Sequence, residues 1–141
     1  RDSYAPFHLF VADEDTCCLV VHDGDEVFAR HRFSPGVHIV VNVGFDGEWF
    51  VPEYRPEIGR KQARRAERVR AELIPRDGES AAKWTGRAGA ILGDHEYGVC
   101  IHGDGFGTRS SALLRLGAER VFEYADGPPC ETPFRRVDAS T

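Results

Sequence analysis

Apolar and polar residues alternate in short runs near both ends of this chain and switch to a helical period in the middle. Phe7–Ala12 reads as a strand. Cys17–Val21 and Glu26–Arg30 flank Asp23-Gly24, a type I′ turn signal between strand runs, so this stretch predicts a hairpin. Pro35-Gly36 is a turn and Val37–Val43 the next strand. Strand alternation puts Val37, Ile39 and Val41 on one face and His38, Val40 and Asn42 on the other. Gly44–Pro56 reads as a loop anchored by Trp49, Phe50 and Tyr54. Glu57–Ile74 predicts a helix, with Pro56 before it and a narrow stripe of Ile58, Ala66, Val69 and Leu73. Pro75–Gly78 breaks the chain, and Ser80 caps a second helix carrying Trp84, Ala88, Ile91 and Leu92. Tyr97–His102 is a strand, Gly103–Gly107 a loop, Thr108–Leu116 and Arg120–Tyr124 strands, and the Pro-rich tail irregular. Strands, then two helices, then strands predict an α+β fold with a largely antiparallel sheet.

Composition adjusts this picture in three ways. The 141 residues fit one ordinary domain, residues 1–141. A net charge of -5 disfavours bulk nucleic-acid binding, and no apolar run reaches membrane-spanning length. The chain has no methionine and begins at Arg1, so residues are expected upstream of it in the primary product. Cys17, Cys18, Cys100 and Cys130 form no C-x-x-C pair and no zinc-type spacing with histidine. They read as reduced packing cysteines of a cytoplasmic protein, with no metal site.

Several polar constellations along the chain bear on chemistry. The run Gly103-Asp104-Gly105-Phe106-Gly107 leads into a strand, which argues against a dinucleotide loop. Asp94, His95 and Glu96 are consecutive, diverge in direction and read as a loop. Cys100 and His102 share a strand face, a chemically interesting pair for which packing is the favoured role. The basic face of the first helix, Arg60 to Arg70, reads as solvated and balanced by Glu57, Glu67 and Glu72. Two features remain. Asn42, beside His38, offers an amide donor, and Gly107-Thr108-Arg109-Ser110-Ser111 offers a guanidinium among hydroxyls at the mouth of an apolar strand.

Three blocks of the chain resemble the NRDE family, also called the transport and Golgi organisation protein 2 family. They are Ala5-Pro6-Phe7-His8-Leu9-Phe10-Val11-Ala12-Asp13, Ser34-Pro35-Gly36-Val37-His38-Ile39-Val40-Val41-Asn42, and Gly107-Thr108-Arg109-Ser110-Ser111-Ala112-Leu113-Leu114. Their order and separation also fit, and the likeness covers roughly Ala5 to Tyr124. The resemblance implies an αββα sandwich of N-terminal-nucleophile hydrolase type, incomplete at the N-terminus, of which this chain is the C-terminal part. It implies cysteine amidase chemistry on C–N bonds, with the nucleophile upstream of Arg1. Asn42 then matches the oxyanion position, with Arg109 as the second catalytic-cleft residue. His38, Thr108, Ser110 and Ser111 line the substrate cleft. The alternative it implies is a non-enzymatic carrier of haem or another small ligand, with His38 or His102 as ligand and no resident cofactor. Expected partners are a small-molecule ligand or substrate, and either a second copy or a complementary N-terminal segment. Neither nucleic acid nor a membrane span is expected.

Overall fold

A computed structural model describes residues 5–24, 28–49 and 53–138. The predicted start of the third strand at Glu26 and the loop anchor Phe50 lie outside these residues. The fold is α+β with antiparallel sheets. The described residues fall into two compact units, residues 1–36 with 116–118, and residues 37–115 with 119–141.

The first unit is a three-stranded antiparallel meander of β1 (Phe7–Ala12), β2 (Cys17–His22) and β3 (Phe28–Arg32). Registers Phe7↔His22 and Cys18↔Arg32 fix the pairing. The β1–β2 turn is closed by Asp13, whose Oδ1 accepts from the Asp15 and Thr16 backbone N–H groups at 2.9 and 2.7 Å. These backbone donors also hold the Asp13 carboxyl below its ordinary range. Leu19, in the central strand, is fully buried, and the His22 ring stacks on Phe28 at 4.6 Å.

The second unit is built on two helices, α1 (Pro56–Glu72) and α2 (Ala81–Leu92). Pro56 opens α1, where its missing N–H costs nothing, and Glu57 sits in the first turn near the positive end of the helix dipole. The Ser80 hydroxyl accepts from the Lys83 N–H and caps α2. Val69 and Leu73 of the first helical stretch pack against Ala88 and Ile91 of the second, with Ile39, Val99 and Leu113 closing over them. Each large aliphatic side chain buried this way contributes about 1.5–3 kcal/mol.

The link between the helices is tied by polar groups. Trp84 Nε1 donates to the Leu73 carbonyl at 2.7 Å. Arg87 donates to both Glu79 oxygens at 2.9 and 2.6 Å, and to the carbonyls of Glu72 and Ile74. The Arg87 guanidinium holds the Glu79 carboxyl down at about 2.

Three small antiparallel sheets complete this unit. They are β4 (Val40–Val41), β5 (Gly44–Phe45) and β6 (Glu48–Trp49); β7 (His102–Gly103) with β8 (Phe106–Gly107); and β9 (Ser111–Arg115), β10 (Val121–Ala125) and β11 (Arg135–Arg136). Three predicted strands are shorter than expected, and of these Thr108–Leu116 keeps only Ser111–Arg115. Val37–Val43 keeps only Val40–Val41, because Gly44 adopts φ 130° and folds β5 back on β4. A Cβ at Gly44 would collide with the Glu48 carbonyl, so only glycine makes this turn. Tyr97–His102 keeps only His102 in a strand. Asp94 Oδ1 accepts from the Tyr97 N–H at 2.8 Å and Gly98 takes φ 67°, which curls the segment. The predicted loop 103–107 is instead the tip of the β7–β8 hairpin, and the tail supplies β11. Among the described residues no helix is long and apolar enough to cross a membrane.

Candidate functional site

The segment leading into β9 is held by one side chain. Thr108 Oγ1 accepts from the Ile101 N–H at 3.0 Å and donates to the Val99 carbonyl at 3.3 Å, while its own N–H donates to the Ile101 carbonyl at 2.8 Å. This three-bond clamp fixes the chain on both sides of the β7–β8 hairpin. Thr108 is thus an internal strut, and Arg109 and Ser110, just beyond it, are exposed. Ser111 is half-buried as the first residue of β9. Strand alternation with Leu113 leads one to expect partial burial of Arg109. That burial does not arise, because β9 begins only at Ser111 and Arg109 precedes it. Arg109 lines a shallow cavity of about 340 Å³ together with His102, Phe106 and Thr108. Among the described residues it has no ion-pair or hydrogen-bond partner.

His38 and Asn42 occupy different settings. His38 precedes β4 and its Nδ1 meets Asp46 Oδ2 at 2.5 Å. Asp46 itself takes φ 50° in the β5–β6 turn, presenting its carboxylate to the imidazole. Asn42 is exposed in the two-residue turn between β4 and β5. The shared strand face expected for His38, Val40 and Asn42 is therefore lost with the strand itself. The structure joins Thr108, Arg109 and His102 around one cavity, and it joins His38 to Asp46.

A further constellation gathers around the same hairpin. His95, Cys100, His102 and Cys130 bring one ligand atom each within 4.8 Å of one another. Cys100 Sγ lies 3.4 Å from Cys130 Sγ and 3.7 Å from His102 Nε2, and His102 Nε2 lies 3.1 Å from Cys130 Sγ. The rings of His95 and His102 are 5.1 Å apart. His95 Nδ1 faces the Cys100 carbonyl at 3.2 Å. A neutral imidazole donating from Nδ1 there presents the lone pair of Nε2. Desolvation of the sulfur, followed by its hydrogen bond with Cys100, pushes the Cys130 thiol above its ordinary value.

Local structure explains this convergence. Cys100 sits at a bend and His102 opens β7 two residues on, and their side chains converge to 3.7 Å. Cys130 arrives on a tight turn in which Glu131 and Thr132 N–H groups donate to the Pro128 carbonyl at 3.0 and 2.8 Å. That turn packs on the end of α2, where a Cβ on Gly93 would stand 3.2 Å from the Pro129 oxygen. A second cavity, of about 520 Å³, adjoins the cluster and is lined by Lys61, Arg65, His95, Cys100, His102 and Phe106 among others. Arg65 reaches over Gly98, whose missing side chain leaves room for the guanidinium.

The Cys100–His102 pair was visible in the alternation, but its two further partners were not. His95 reads as one of three diverging loop residues, and Cys130 is separated from Cys100 by a helix-free stretch containing four strands. The Pro-Pro-Cys run was the available signal, since such a rigid turn aims its cysteine. No family of known proteins, no curated protein and no solved structure matches this chain.

Proposed function

We propose that this chain organises the ligand cleft of an NRDE-like protein, an αββα sandwich of N-terminal-nucleophile type acting on C–N amide bonds. The attacking cysteine of this reading is not among the 141 residues. Its thiolate forms the C–S bond at the amide carbonyl, the C–N bond breaks, and the amine leaves with the proton; water then hydrolyses the thioester. In this scheme the Asn42 amide donates to the developing oxyanion. Arg109 receives a carboxylate on the substrate, with Ser110 beside it and Thr108 holding the segment in place; Ser111 and His38 complete the cleft.

One observation carries this reading. Arg109 stands exposed on a cavity rim, without an acidic partner among the described residues, on a backbone clamped by Thr108. A guanidinium fixed at its base and free at its head suits a planar anion. The carrier reading uses the same cavity, where exposed His102 lies beside the apolar Ile101 and Phe106. Haem or a small ligand would then be held rather than cleaved.

Arg109→Lys separates a bidentate role from a mere positive charge. A charged hydrogen bond contributes about 1.5–3 kcal/mol, so Arg109→Lys should weaken carboxylate binding roughly ten- to hundredfold. Calorimetric titration of small N-acyl amino acids reads this on the chain, and turnover reads it in the protein carrying the cysteine. The melting temperature should hardly move, because the side chain is exposed. If Arg109→Lys and Arg109→Met both leave binding and turnover intact, the guanidinium has no part in the site.

A further inference from the structure

We propose that His95, Cys100, His102 and Cys130 form a tetrahedral transition-metal site, of the kind that zinc fills, which staples the Cys130 turn to the 95–102 segment. This site is separate from the Arg109 reading and stands or falls without it.

Geometry comes first. Zinc bound by thiolate at about 2.3 Å and by imidazole at about 2.0–2.1 Å has tetrahedral edges of about 3.8 Å between sulfurs and about 3.5 Å between sulfur and nitrogen. The triangle Cys100–Cys130–His102 has edges of 3.4, 3.1 and 3.7 Å. Each edge lies within about 0.4 Å of those lengths. Side-chain adjustments of that size bring the triangle to these lengths. His95 closes the fourth corner, with all four ligand atoms inside 4.8 Å.

Orientation comes second. A metal-bound histidine commonly donates its other ring N–H to a carbonyl, which fixes the tautomer and aims the ligand nitrogen. His95 Nδ1 already faces the Cys100 carbonyl at 3.2 Å. The cluster is also braced by contacts that need no ion. Thr108 clamps Ile101, which sits between Cys100 and His102, and Asp94 closes the turn that carries His95 by accepting from the Tyr97 N–H. Pro128 accepts the two hydrogen bonds that shape the Cys130 turn. A ligand set held from three sides meets an ion with little left to order.

Chemistry comes third. Two thiolates and two imidazoles in a compact tetrahedron select zinc over magnesium or calcium, which take oxygen ligands. Binding releases the two thiol protons to solvent, and the dication cancels the two thiolate charges, so the filled site is neutral. Four protein ligands leave no corner for water, so the site supplies stability and order to the 95–108 hairpin and the tail.

The full chain, purified with a non-chelating reductant, is loaded with zinc, dialysed and assayed for bound metal. Expected is one tightly held zinc per chain, a melting temperature that rises with zinc and falls with a chelator, and a cobalt(II) derivative with the intense ligand-field and thiolate charge-transfer bands of a tetrahedral site. Cys130→Ser, at an exposed position, should fold and should lose more than the roughly 10–100-fold in affinity that a missing outer-shell partner costs. His102→Ala should do likewise, and Cys17→Ser with Cys18→Ser should keep the metal. Arg109→Lys should also keep it, which separates failure of this site from failure of the amide-cleft reading. Zinc retained equally by Cys130→Ser and His102→Ala, or an octahedral cobalt spectrum, overturns the proposal. So does a Cys100–Cys130 disulfide, mapped without reductant, that re-forms in air in the presence of zinc.

Discussion

The two compact units spend their apolar residues differently. In the helical unit, α1 and α2 bury Val69, Leu73, Ala88 and Ile91 against each other. In the meander, Leu9, Phe10, Val11 and Phe28 are 51–58 % exposed, and Leu19 is the side chain that is fully buried. A helix pair can cover its own stripe, whereas a lone sheet has two faces and nothing of its own to lay over either. An exposed sheet rich in Leu, Phe and Val is the kind of surface that associates. The contrast locates stability in the helices and adhesiveness in the sheet.

The largest expected effect tests that contrast directly. Leu73→Ala and Ile91→Ala each leave a cavity between the helices and should cost about 2–5 kcal/mol. Leu9→Ala removes a half-exposed side chain and should stay within about 0.5 kcal/mol. Urea unfolding followed by the fluorescence of Trp84, which sits on the helix core, reads the first pair. Backbone circular dichroism reads the last. If Leu9→Ala costs as much as Leu73→Ala, the sheet face is covered in solution and the contrast collapses.

The two units also differ in how well the chain announced them. Phe7–Ala12 and the strand from Cys17 were legible because alternation and turn signals agree there, and the helices were legible from their apolar stripe, Pro56 and Ser80. Failures cluster where one glycine overrides an apolar run. Gly44 folded the Val37–Val43 run into a hairpin, and Gly98 curled the run from Tyr97. Alternation counts side chains and is blind to a backbone that turns. For the same reason His38 lost its place beside Asn42 and found Asp46 instead. Of the candidate site, the Thr108–Arg109 segment was legible from its composition, whereas the meeting of His95 and Cys130 with Cys100 depends on the tail returning to α2. No local pattern encodes a return of that kind.

A smaller effect should appear in acid. Glu79 is depressed by Arg87 to about 2 from an ordinary 4.5, so its contribution to stability is fully present above 4.5. It is lost as the pH falls from there through about 2. Against Glu79→Gln, the wild-type chain should show a constant advantage in urea midpoint at neutral pH. That advantage should close across the same acid window. Asp13, in the meander, is also depressed, by the backbone donors of its own exposed turn, so Asp13→Asn should show the same sign with a smaller span. Equal spans would mean that the helical unit draws no special strength from its Arg87 network.

The smallest effect concerns polar atoms rather than apolar ones. On α2 the Trp84 Nε1 donor is satisfied by the Leu73 carbonyl and Thr85 Oγ1 by the Ala81 carbonyl, each at 2.7 Å, whereas Arg115 Nε of β9 is buried with no hydrogen-bond partner among the described residues. In the meander His22 is 5 % exposed, and neither ring nitrogen has a hydrogen-bond partner among the described residues. Its ring lies 4.6 Å from Phe28 at a 14° tilt and 5.3 Å from Phe7, so packing rather than hydrogen bonding holds it. An unsatisfied buried polar group weakens a fold, and an apolar ring of similar shape removes that penalty. His22→Phe keeps both ring contacts and adds modest bulk, which offsets part of the gain. It should leave stability unchanged or raise it by up to about 1 kcal/mol. Trp84→Phe, the matching change in the helical unit, strands the Leu73 carbonyl and should lower stability by about 1 kcal/mol. Urea midpoints of the two variants should therefore move apart, with His22→Phe level or above wild type and Trp84→Phe below. If His22→Phe instead falls by as much as Trp84→Phe, its nitrogens are engaged in solution. The meander would then be as well satisfied internally as the helices.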